Sequence, residues 1–151
     1  SSTILKFQWA YGGNESNVNT YGRLYTWYTV SDNRNICPTG WHVPSDAEWT
    51  TLTTYLGGER VAGGKLKETG TTHWTTPNTG ATNESGFTAL PSGYRDYGGS
   101  FALVSKDGYW WSSTESSAYL AYYRSMYNNT NFVSRNDTDK QSGYSVRCLR
   151  D

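Results

Sequence analysis

Between Ile36 and Gly58 the sequence leaves the chain few options. Pro38, Gly40 and Pro44 are too closely spaced for regular structure before Ser45. Ser45 is then a good N-cap, and Glu48 stands three residues on, where its carboxylate can reach back to complete a capping box. Asp46 and Glu48 occupy the first turn, at the positive end of the helix dipole. Trp49, Leu52, Tyr55 and Leu56 recur at helical spacing and form one apolar face, and Gly57-Gly58 ends it. The pattern predicts a helix over 45–56.

Elsewhere the signals are weaker. Gly22 to Val30 is rich in aromatic and β-branched residues and reads as a strand broken by Asp32-Asn33. Val61 to Thr69 reads as a second, shorter helix with Lys65, Lys67 and Glu68 outward and Leu66 inward. Gly70 to Ser85 reads as a long ordered loop pinned by Trp74, and Phe87 to Leu90 as a short strand ended by Pro91. Gly98-Gly99 marks a turn, and Tyr109 to Ser113 a core strand. Beyond it, Leu120, Tyr122 and Met126 share one parity, while Tyr119, Tyr123, Ser125 and Tyr127 share the other, as the two faces of a strand would. Tyr144, Val146 and Cys148 alternate with Ser145, Arg147 and Leu149 in the same way. No repeat or interior linker breaks the chain, so residues 1–151 are expected to form a single domain.

Only 35% of the residues are hydrophobic and 17% charged, yet 16% are aromatic. That aromatic density with balanced charge argues against disorder and for a core built from Trp and Tyr, with Ser, Thr, Asn and Gly in the loops. Thirteen acidic and thirteen basic residues leave no net field for nucleic acid or an anionic membrane, and no apolar run reaches spanning length. The sequence shows no initiator Met and no signal peptide, as expected of a mature fragment. Cys37 and Cys148 either close a long loop as a disulfide or remain two buried thiols; spacing alone leaves both open.

Catalytic signatures are missing. There is no Gly-x-Ser-x-Gly elbow, and the phosphate-loop near-miss at Gly64-Lys65 has Glu59 in place of the first glycine and Leu66 in place of Ser/Thr. His42 and His73 lack metal-ligand partners at helical or hairpin spacing, and His42 reads as a structural hydrogen-bonder. Asn136-Asp137-Thr138-Asp139 offers oxygen ligands for a structural calcium, against a solvated turn, which is the reading adopted. No cofactor is expected.

Several motifs taken in order resemble one family. They are Gly22-Arg23-Leu24-Tyr25-Thr26-Trp27-Tyr28, the run from Ile36 to Trp49, and Ala62-Gly63-Gly64-Lys65-Leu66-Lys67-Glu68. Gly86 to Pro91, Tyr109-Trp110-Trp111-Ser112-Ser113-Thr114-Glu115 and Gly143 to Arg150 complete the set. The chain from about Gly22 to Asp151 is similar to the Fibrobacter succinogenes major paralogous domain, a bacterial surface or secreted module. The resemblance implies an α+β, C-type-lectin-like fold: one or two helices packed on small antiparallel sheets with long loops. It also implies a Cys37–Cys148 disulfide and an extracellular or cell-surface location. Residues 44–49 are further similar to the helix entry of formylglycine-generating enzymes, but the two cysteines sit elsewhere than those enzymes need them. The Glu-Pro-Asn, Gln-Pro-Asp and Trp-Asn-Asp motifs of calcium-dependent sugar-binding lectins are absent.

From Ser112 to Ser145 the outward positions are nearly all Tyr, Ser, Asn, Asp or Thr. Tyr supplies rigid contact area at low entropic cost and Ser and Asn supply adaptable hydrogen bonds, which is the chemistry of a binding surface. The same composition resembles variable proteins of diversity-generating retroelements, in which Asn codons mutate to Tyr, Ser, Asp or Thr. The expected contact surface is Tyr119, Tyr123, Ser125, Tyr127, Asn129, Asn131, Phe132, Ser134, Asn136, Asp137, Asp139 and Gln141. A protein ligand is the first expectation and polysaccharide the second. The rivals are a structural adhesin domain and an enzyme with a pocket near His73 and Trp74.

Overall fold

The computed structural model describes residues 7–151. Along the chain come β1 (Gln8–Trp9), α1 (Val18–Tyr21), β2 (Leu24–Tyr25), α2 (Trp27–Val30) and β3 (Trp41–His42). α3 (Asp46–Tyr55) and α4 (Glu59–Leu66) follow, then β4 (Ser92–Arg95), β5 (Phe101–Val104), β6 (Asp107–Glu115), β7 (Leu120–Tyr127), β8 (Val133–Asp139) and β9 (Leu149–Arg150). β1 pairs with β2, β3 with β9, and the remaining five strands form one sheet in the order β5-β4-β6-β7-β8. That sheet is antiparallel except for the β4–β6 contact through Gly93 and Gly108.

The expected α+β, C-type-lectin-like architecture is overturned. Among the described residues the chain is mostly β, with nine strands in three sheets, the largest curled into a half-barrel, and few, short helices. The physical reason lies in residues 107–139, which are rich in aromatic residues and pair along their length as β6, β7 and β8. Among the described residues only α3 and α4 reach eight residues.

Local signals hold where they are strong. Ser45 Oγ accepts from the Glu48 amide at 3.2 Å and Glu48 Oε2 accepts from the Ser45 amide at 2.8 Å, completing the capping box. Gly57 and Gly58 follow α3 at φ 104° and 97°, a region other residues avoid. Where local signals are weak, tertiary contacts decide. The expected strand over Gly22–Val30 survives only as β2. Trp27 opens a helical turn because its Nε1 donates to Ser112 O at 2.9 Å, seating the ring under β6. Phe87–Leu90 is not a strand: Ala89 bridges Lys67, and β4 starts only after Pro91. The closing segment touches Arg95, Tyr25 and Trp110 through single bridges at Gly143, Tyr144 and Ser145 before β9 pairs with β3.

The sheet buries both faces. Trp49, Leu56, Leu66, Trp74, Trp110, Met126 and Val133 fill the side covered by α3 and α4. Trp27, Val43, Tyr109, Trp111, Ala121 and Tyr144 fill the other, around the Cys37–Cys148 disulfide. Strand pleating sends the consecutive rings of Tyr109, Trp110 and Trp111 alternately into the two cores.

Lys67, expected outward, is sealed from solvent. Its Nζ donates to Thr79 O at 3.0 Å, Tyr127 O at 2.8 Å and Thr130 O at 2.9 Å, and lies 5.4 Å from the Trp74 ring centre. Burial pushes the ammonium down, to about 8, so it is still protonated at neutral pH. Lys67→Met would leave three buried carbonyls without a donor. We expect a loss of about 3–5 kcal/mol in urea unfolding, the range for breaking a buried charged contact. A loss under about 1 kcal/mol would show that the amine holds nothing together.

Candidate functional site

The register of β7 and β8 sorts the expected contact residues. Tyr123 stands opposite Asn136 and Ser125 opposite Ser134, so these four share one face of the sheet with Tyr127. Across β6, Trp111 opposes Tyr123, Tyr109 opposes Ser125 and Asp107 opposes Tyr127. Asp137 and Asp139 fall on the opposite face, against Tyr122 and Leu120. Tyr119 and Gln141 lie at one end of the β7–β8 hairpin, and Asn129, Asn131 and Phe132 in the connection at the other. The eight residues of β7 separate these ends by about 25 Å. The expected surface therefore divides into a central face and two distant ends.

Burial corrects it further. Ser125 is fully enclosed, and its hydroxyl lies 2.7 Å from Tyr127 OH, so it orients a tyrosine and cannot itself touch a ligand. The backbone of Asn131 and Phe132 is held against α4, while the Phe132 side chain stays exposed. A Cβ on Gly63 would stand 2.4 Å from Phe132 O and 2.6 Å from Asn131 O, so only glycine admits this approach. Asp137 Oδ2 accepts from Ser116 Oγ at 2.6 Å and Asp139 Oδ1 accepts from the Gln141 amide at 2.8 Å. Residues 136–139 belong to β8 instead of the solvated turn, and no group of three or more His, Cys, Asp or Glu side chains converges to hold a metal among the described residues. Tyr119 is 78% exposed, and Asn129, Asn136 and Gln141 are exposed as well.

The central face continues into an aromatic cluster. Tyr144 packs 4.6 Å from Trp111, 4.8 Å from Tyr123 and 5.1 Å from Tyr109, centre to centre, and Tyr94 lies 5.1 Å from Tyr109. Tyr94 carries no strong local signal; its position after Pro91 in a Gly-containing segment reveals nothing of its neighbours. Tyr109 OH donates to Asp107 Oδ2 at 2.9 Å. Burial raises the Tyr109 and Tyr144 phenols well above 10, reinforced by Asp107 for the first and by Tyr123 for the second. Tyr123 is raised as well, again chiefly by burial, and is only half-buried.

The two histidines hold structure together. His42 Nδ1 lies 2.6 Å from Asp151 Oδ1 and Nε2 lies 2.9 Å from Glu48 Oε1, so both nitrogens face carboxylates. Asp151 and then Glu48 raise its pKa, favouring a cation that ties α3 to the C-terminal strand pair. His73 Nδ1 lies 2.9 Å from Glu68. Trp74 is fully buried, its Nε1 donating to Ala89 O, so it lines no opening beside His73. Two clefts lie elsewhere: one of about 570 Å³ beside β1, β2 and α2, and an apolar one of about 240 Å³ between Trp49, Leu52, Phe87 and Leu149.

The raised phenols predict an alkaline limit. The unfolded chain ionises these groups near 10 and the folded chain only above it, so the folded state holds more protons there and loses stability as pH rises. The expected slope is about 1.4 kcal/mol per pH unit for each group. The lowered Lys67 acts in the opposite sense only up to its ordinary value of 10.5. Above pH 10.5, phenolate absorbance near 295 nm should therefore rise for Tyr109 and Tyr144 only together with loss of circular dichroism. Full phenolate absorbance in a folded protein would refute the burial argument.

No curated protein and no solved structure matches the chain. The model of one family, described as the Fibrobacter succinogenes major domain, matches residues 5–150, and so reaches further toward the N-terminus than the motifs from Gly22 onward. With nearly its whole length matched, and with its aromatic sheet and capped helix built from the motif segments, the chain belongs to the Fibrobacter succinogenes major domain family.

Proposed function

We propose that the domain is a non-enzymatic binding module that meets a protein ligand on the sheet face of Tyr123, Tyr127, Ser134 and Asn136. The observation that carries this reading is the cross-strand pair Tyr123–Asn136, which sets a half-buried ring beside an exposed amide on a fixed backbone. The Tyr123 ring, packed 5.9 Å from Tyr109 and 4.8 Å from Tyr144, loses little entropy on contact. The hydroxyl of Tyr127, oriented by Ser125, adds direction. A sheet face suits a protein surface better than a small molecule, which needs a concave site.

The disulfide fits a secreted or surface protein, and no helix of the described residues is long and apolar enough to cross a membrane. The disulfide, with the resemblance to a bacterial surface or secreted module, supports a location at a bacterial surface. A second reading, diversification of the stretch by a retroelement, is favoured by its exposed side chains: Tyr119, Asn129 and Gln141 at the ends and Asn136 on the central face can change without disturbing either core. A reverse-transcriptase gene nearby with an adenine-biased repeat of the region coding for Trp111 to Asp151 would establish it, and their absence would remove it.

Biolayer interferometry against a panel of bacterial surface proteins tests the main reading. Tyr127→Ala combined with Asn136→Ala should weaken the strongest interaction by about thirtyfold or more, the scale of a hot-spot pair. Tyr119→Ala, at the far end, should leave that interaction unchanged. Equal binding by all three proteins, each folded by circular dichroism, would sink the assignment of the face.

A further inference from the structure

The cleft of about 570 Å³ between β1, β2, α2 and the turn leading to Cys37 belongs to neither the tyrosine face nor the cores. Its walls combine two kinds of group. Phe7 and Tyr28 expose 46% and 43% of their surface, and Tyr25 adds a third ring. Among them stand the Gln8 amide and the ion pair of Asp32 with Arg34, whose Nε and Nη2 donate to the carboxylate at 2.8 and 2.6 Å.

We propose that this cleft is a binding site for a neutral oligosaccharide. Sugar rings present an apolar C–H face and a rim of hydroxyls, and the cleft offers a match to each. The rings of Phe7, Tyr25 and Tyr28 supply stacking surface, and two of them are exposed within this one cleft. Asp32, Arg34 and Gln8 supply planar donor and acceptor edges of the kind that read adjacent hydroxyls.

Charge selects the class. Among the described lining residues Arg34 is the one cation and is paired with Asp32, so they offer no surplus positive charge for a phosphate, a nucleic acid or an acidic polysaccharide. The fork uses Nε and Nη2, which leaves Nη1 of a largely exposed guanidinium to donate to a hydroxyl. The volume lies within the range of small-ligand sites.

The walls are also set in advance, which lowers the ordering cost of binding. Phe7 O accepts from the Thr26 amide at 3.0 Å and from Thr29 Oγ1 at 3.1 Å, fixing that edge to α2. Asn35 Oδ1 accepts from the Cys37 amide at 3.1 Å, and Asn35 Nδ2 donates to Trp41 O at 3.2 Å. The turn that carries Asp32 and Arg34 is thus anchored at Asn35, two residues before the Cys37–Cys148 disulfide. This site does not depend on the protein-binding face being correctly assigned.

Isothermal titration with maltohexaose, cellohexaose, xylohexaose and hexagalacturonate decides the matter. At least one neutral hexasaccharide should bind in preference to hexagalacturonate. Tyr28→Ala and Arg34→Ala, both at exposed side chains, should each weaken it about tenfold or more. Tyr28→Phe keeps the ring and should retain most of the affinity, which separates stacking from loss of fold. The proposal is overturned by absence of neutral-sugar binding at millimolar concentration, by preference for the charged sugar, or by binding that survives both alanine variants.

Discussion

An amine sealed from water must be surrounded by oxygen, and this fold solves that problem at both ends of one hairpin. Lys67 gathers carbonyls from Thr79, Tyr127 and Thr130, where β7 turns toward β8. Lys140, at the opposite end, gathers Ser117 O and Ala118 O at 3.0 Å each and Glu115 Oε2 at 2.6 Å, with its Nζ 4.6 Å from the Trp27 ring centre. Between them Arg124, also buried, reaches Asp46 Oδ1 at 2.7 Å and Thr50 Oγ1 at 3.1 Å, clamping α3 to the sheet. Burial opposes ionisation of Asp46, yet Arg135 and Arg124 together hold its pKa below the ordinary value. Each cation is costly to bury and becomes favourable only when its particular loops come together. The loops around β7 and β8 therefore have little freedom to choose another arrangement.

The same requirement explains what could and could not be read from the sequence. α3 was legible because everything that defines it lies within fourteen residues: Ser45, Glu48, the apolar spacing and Gly57-Gly58. β6 was legible from its density of Tyr and Trp. Lys67 was not. Between Leu66 and Glu68, a lysine reads as a solvated side chain, and its acceptors come from positions 12, 60 and 63 residues away. Gly63 and Gly64 read as part of a weak helix, whereas their missing side chains admit the backbone of Phe132 and of Gly80. The fold class failed for a related reason. Motif segments specify turns and buried rings locally, and the pairing of β6, β7 and β8 into one curled sheet depends on contacts between them.

The candidate surface was legible by parity and illegible by burial. Alternation along β7 correctly separated Tyr123, Ser125 and Tyr127 from Tyr122 and Met126. It carried no information about what covers either side. Here both sides are covered: Met126 and Arg124 by the helices, Ser125 and part of Tyr123 by Tyr109 and Tyr144. A tyrosine can serve in either setting, because its ring packs like an apolar side chain while its hydroxyl seeks a partner. Tyrosine-rich composition therefore marks contact chemistry without saying whether the contact is internal.

That ambiguity has a structural consequence. Substitution in this stretch is limited by the two cores and the two buried lysines more than by the ligand face. Ser125 has no room for a larger side chain, and Tyr144 cannot change without opening the aromatic cluster to water. Asn136 and Tyr119 carry no such constraint, being exposed on backbone already fixed by β-pairing or by the Lys140 contacts. A surface made this way can vary its outermost atoms while its backbone stays still, because the interactions that position the backbone lie inside. The lysines that seemed out of place in a protein interior are what allow the exterior to be polar, aromatic and still well ordered.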